Sequence, residues 1–125
     1  MIRRSPPALR FLAAILALAA TAQAQITWHV DAKATGPVFD GTTWCSAFHD
    51  LQDALAVAQA GDEILVGAGV YRPDRGTGDR LATFRLKSGV ALRGGYAGCG
   101  AVDPAVRDYT LHPAVLSGDL AGNDA

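Results

Sequence analysis

Charge is scarce and nearly balanced in this 125-residue chain, with 11 Lys+Arg against 12 Asp+Glu and a formal net of −1. No basic excess exists to hold a phosphate backbone, so nucleic acid is not an expected partner. Half the residues are hydrophobic, which excludes a disordered chain, yet no apolar run is long enough to cross a bilayer. Cysteine is nearly absent, at two residues. The three histidines, His29, His49 and His112, are scattered, and no C-x-x-C motif occurs. A histidine or thiolate metal centre therefore has no ligand set at the usual spacing.

The apolar run that does exist is short and sits at the start. Arg3, Arg4 and Arg10 precede it with no acid among them, residues 11–20 form an apolar stretch, and Ala22-Gln-Ala24 follows. A basic region, a 7–15-residue apolar segment and an A-x-A site are the three parts of a secretory signal peptide. The expectation is that 1–24 is removed by cleavage between Ala24 and Gln25, and that 25–125 forms the mature domain, secreted or held at the cell surface. Loss of the three arginines leaves eight cations against twelve acids, a net of −4. An even pair of cysteines in an oxidising compartment predicts one disulfide between Cys45 and Cys99.

Within 25–125 the residues 26–31 (Ile-Thr-Trp-His-Val-Asp) alternate as a half-buried strand does. Gly36-Pro37 and Asp40-Gly41 mark a loop. Phe48, Leu51, Leu55 and Ala58 then fall on one helical face, predicting an amphipathic helix over 48–60 that stops at Gly61. The core of that helix is expected to be Phe48, Leu51 and Leu55. Short β runs follow at 63–66, 70–71, 81–86, 90–93 and 114–117, separated by glycine turns. Ile64, Val90 and Val115 open three of them at intervals of 26 and 25 residues, a spacing that suits a solenoid with one strand per turn.

The segments Trp28-His-Val-Asp31, Asp40-Gly-Thr-Thr-Trp44-Cys, Phe48-His-Asp-Leu-Gln-Asp-Ala-Leu55, Ala60-Gly-Asp-Glu-Ile64-Leu-Val-Gly-Ala-Gly69-Val-Tyr71-Arg-Pro-Asp74, Gly94-Gly-Tyr96 and Leu116-Ser-Gly-Asp119 together resemble secreted bacterial right-handed parallel β-helix proteins of the pectin-lyase-like fold. The resemblance implies an all-β solenoid, the start of a right-handed parallel β-helix with one N-terminal capping α-helix, and the expectation is a truncated chain holding only the cap and first coils. For activity it is uninformative, since such proteins include both polysaccharide-degrading enzymes and non-catalytic surface proteins. The expectation is an exported, non-catalytic protein with a structural, adhesive or cell-surface role, the alternative being the N-terminal remnant of a polysaccharide lyase or glycoside hydrolase.

No catalytic, cofactor-binding or metal residues are assigned. Asp119, Asn123 and Asp124 invite a calcium reading, but Ala121 breaks the EF-hand spacing and no closing glutamate follows. The loop Arg75-Gly-Thr-Gly-Asp-Arg80 has glycines and two cations without the phosphate-loop pattern. Trp28, Trp44, Tyr71 and Tyr96 are read as packing residues before sugar-stacking ones. Contact with polysaccharide or a cell surface stays open as a partner class, and self-association is expected through an uncovered C-terminal strand edge.

Overall fold

The computed structural model describes residues 24–120. The element order is β1 (Thr27–Val30), α1 (Leu51–Val57), β2 (Glu63–Gly67), β3 (Gly69–Tyr71), β4 (Ala91–Tyr96) and β5 (Ala114–Leu116). All strand pairs are parallel. β1, β2 and β4 form one sheet in that order, and β3 pairs with β5 in a second. The alternation at 26–31 buries Val30 and half-buries Trp28, which lies opposite Ile64, which in turn lies opposite Leu92. Period-two patterning thus sets register, because a one-residue slip would turn Ile64 and Val66 out to water.

The core is Val30, Leu51, Ala54, Leu55, Ala58, Ile64, Val66 and Tyr71, with Trp28, Phe48, Phe84, Val90, Leu92 and Ala114 packed around it. Burying each large aliphatic side chain here contributes about 1.5–3 kcal/mol. α1 covers one side of this core through Leu51, Ala54 and Leu55. It is shorter than the predicted 48–60. Asp50 at its N-cap and Ala58 at its C-cap are both extended, and Asp50 makes no side-chain cap hydrogen bond. Phe48 lies ahead of the helix, in an isolated parallel bridge with Val30, and stacks on Trp28 with ring centroids 6.0 Å apart. Gly61 does not stop the helix but turns the chain at φ 96° just before β2.

The solenoid expectation is corrected. Among the described residues the strands make one open three-stranded and one open two-stranded parallel sheet with one seven-residue helix, a small domain in which neither sheet closes or repeats. Two findings overturn the sequence reading. Ile64 and the strand after Val90 share one sheet, whereas Val115 pairs with Val70 in the other, so the three evenly spaced starts do not stack in one column. The alternating run 81–86 forms no strand: Leu81 and Leu86 are 89% and 66% exposed and only Phe84 reaches the core. Even spacing and alternation report which side chain faces inward, not which backbone lies alongside.

β4 is longer than the expected 90–93. It runs through Gly94 and Gly95 to Tyr96, with a bulge opposite the step from Leu65 to Gly67. Gly95, at φ 92°, permits this because a β-carbon there would press on the Tyr109 backbone at 3.1 Å.

Candidate functional site

The densest chemistry lies where β1 leaves its sheet. Cys45 and Cys99 form the predicted disulfide, with Cα atoms 4.9 Å apart. Beside it Asp31 is fully buried, and its carboxylate accepts hydrogen bonds from the Lys33 N–H at 2.9 Å and the Cys99 N–H at 2.6 Å. Gly98, at φ 82°, lies directly against this carboxylate, where any side chain would collide with it. Tyr71 completes the corner. Its hydroxyl donates to the Gly67 carbonyl at 2.8 Å and accepts from the Ala32 N–H at 3.1 Å. Burial pushes the Tyr71 phenol up from 10.0 to about 12, the Ala32 N–H opposing and the Asp31 charge adding. These groups are saturated by backbone partners. They fasten the loop before α1, β1, the β2–β3 junction and the loop after β4 into one corner.

A second carboxylate anchors the start of β1. Asp62, buried between α1 and β2, accepts from the Ile26 N–H at 3.0 Å and, through its other oxygen, from the Gln59 N–H at 2.9 Å and the Trp28 indole N–H at 3.2 Å. The Gln59 and Ile26 amides hold its pKa below the usual 3.8 against the opposing effect of burial, with the Trp28 contact adding to the lowering. A third, Asp74, organises the arginine–glycine loop. Its carboxylate accepts from the Gly78 and Gly76 amides at 2.7 and 3.1 Å, which lowers its pKa, Gly78 being the larger cause. The two cations of that loop do not converge on a ligand position. Arg75, at φ 55°, pairs with Asp53 at 2.8 Å, and Arg80 is exposed.

The aromatic residues engage protein neighbours. His29 meets Trp44 edge-on at 4.8 Å, Trp44 meets Tyr96 at 5.3 Å, and the Arg107 guanidinium lies 5.7 Å from the Tyr96 ring. The His49 Nε2 is 2.7 Å from the Ala34 carbonyl, and the His112 amide donates to the Asp108 carbonyl. The Asp119 carbonyl accepts from Arg72 Nε at 2.8 Å, while Asn123 and Asp124 lie outside the described residues. Among the described residues no three His, Cys, Asp or Glu side chains are grouped to hold a metal ion. Residues 1–23 also lie outside the described residues, and no described helix is long and apolar enough to cross a membrane.

Sequence reasoning missed the roles of Asp31, Asp62 and Asp74. A signal existed at Asp74, since an aspartate followed by Gly76 and Gly78 is the pattern of a side chain that closes its own turn. Asp31 closes a local turn through the Lys33 amide, but its bond to the Cys99 amide, 68 residues away, leaves no local trace.

The two sheets differ in how their edges are finished. The β1 edge is covered by residues 41–48, through the His29 N–H to Gly41, the Phe48 N–H to His29 and the Asp31 N–H to Phe48. The end of β4 is covered by residues 104–108, which donate to and accept from Gly95, Ala97 and Gly98. The first half of β4, Ala91 to Arg93, and the whole of β5 have a strand on one side only among the described residues. Shortly before β5 in the chain, Tyr109 and Leu111 are 78% and 72% exposed, and within it Val115 and Leu116 are 44% and 43% exposed.

Comparison with protein-family models, with curated proteins and with solved structures gives no match. Nothing in these comparisons identifies the chain as a pectin-lyase-like protein.

Proposed function

We propose that the mature chain is an exported, non-catalytic structural module that associates with a second copy through the open edges of β4 and β5. One observation carries this reading: finished and unfinished edges coexist in the same small domain. Residues 41–48 and a disulfide close the β1 edge, whereas β5, among the described residues, has a strand on one side only and carries the exposed Val115 and Leu116. An unpaired strand next to apolar surface is a template for another strand. Two features support export: the basic, apolar and small-residue order of 1–24, and a disulfide compatible with an oxidising compartment.

Sedimentation velocity of the secreted protein tests the association. Concentration-dependent dimers or larger species are expected at micromolar protein, and Val115→Lys should shift the distribution toward monomer. A folded wild-type monomer throughout that range overturns the reading.

A further inference from the structure

We infer that Gln25 is a modification site: once it is the amino-terminal residue, it closes on itself to an N-terminal pyroglutamate. The inference rests on the reading above that the leader is cut after Ala24. The chemistry balances within the residue. The neutral α-amine attacks Cδ of the side-chain amide, the N–Cδ bond closes a five-membered lactam, and the Cδ–Nε2 bond breaks. One proton passes from the α-amine to Nε2, which departs as ammonia, so neither oxidant nor co-reactant is required. An α-amine with an ordinary pKa of about 7.7–8.0 is partly neutral at physiological pH. Holding nucleophile and carbonyl in one residue supplies an effective molarity of order 10⁵ M or more in well-oriented cases.

The fold leaves this residue free to react. Gln25 is exposed, and no hydrogen bond ties it to the other described residues. The next residue is held on both sides: the Ile26 N–H donates to Asp62 and the Ile26 carbonyl accepts from the Glu63 N–H at 3.0 Å. A shallow cleft of about 120 Å³, lined by Gln25, Ile26, Gln59, Ala60 and Asp62, leaves room for the side chain to fold back. Asp62 already receives three donors, so it has no need to capture the new ammonium group and hold it protonated. Ring closure removes none of these contacts, because the lactam keeps the peptide bond to Ile26. The native structure therefore presents no barrier, and the product loses the terminal positive charge.

The full-length chain, expressed with its leader and recovered from the exported fraction, supplies the test by intact mass and Edman sequencing. The expected product spans 25–125, lacks one ammonia relative to that sequence with its disulfide, and is blocked to Edman degradation. Pyroglutamyl aminopeptidase should then expose Ile26. Gln25→Ala should give a chain cut at the same bond but unblocked. A free Gln25 amine persisting through prolonged incubation at neutral pH overturns the cyclisation and leaves the leader reading intact. A chain cut at another bond, or not cut, overturns both.

Discussion

Three aspartates do most of the fastening in this domain, and each does so through backbone amides. Asp31 is the most exacting, a fully buried carboxylate that accepts from the Lys33 and Cys99 amides. Asp31→Ala strands a buried N–H and should cost about 2–3 kcal/mol in denaturant melts. Asp62 and Asp74 set the response to acid. Their folded pKa values lie below the ordinary 3.8, so their contribution is complete above that value and is lost as pH falls through the folded values. Acid titration followed by near-ultraviolet dichroism should show unfolding at lower pH in wild type than expected for free carboxylates, and Asp62→Asn should flatten that dependence. Tyr71 acts at the other extreme. Its folded pKa is raised, so its contribution is present below 10.0 and is lost as pH climbs toward about 12. Tyr71→Phe should remove the alkaline step while lowering stability at neutral pH by about 1–3 kcal/mol, since the Ala32 amide and Gly67 carbonyl lose their partner.

Among the elements, α1 is the piece whose removal opens the core. Leu51 and Leu55 are 1% and 5% exposed. Leu51→Asp or Leu55→Asp buries an unpaired charge and should cost about 3 kcal/mol or more, whereas a loss below about 0.5 kcal/mol would show that the helix covers nothing. The existence of these elements was legible in the chain because burial leaves a periodic trace. The alternation at 26–31 marked β1, and the four apolar positions from Phe48 to Ala58 marked the helix face. Boundaries were less legible. Phe48 satisfies the helical period yet its backbone bonds to His29 as a strand edge, a contact set by tertiary pairing. The run 81–86 alternates and still stays unpaired, with Gln52 instead reaching across to the Thr83 carbonyl at 2.9 Å. The glycines at 94 and 95 looked like an ending and are a bulge inside β4.

For the molecule as a whole, the sequence carried the covalent link but not the topology. Two cysteines behind an export-like leader have a single pairing available, and the structure contains it. Which strands share a sheet had no comparable signature, because Ile64 and Val115 are chemically alike and only long-range packing sends them to different sheets. The disulfide closes a loop across a separation of 54 residues, so the chain-entropy model gives it about 4 kcal/mol. Reduction at neutral pH should lower the unfolding free energy by about that amount, measured against the oxidised protein at equal concentration. The same separation has a kinetic side. On the export route proposed above, a polypeptide delivered amino terminus first presents Cys45 long before Cys99 has emerged. During that interval the thiol has no native mate and is open to mixed disulfides with oxidoreductases. The cover over β1 can therefore be sealed only by a residue that arrives after β4, which leaves an early segment of the chain waiting on a late one for its lock.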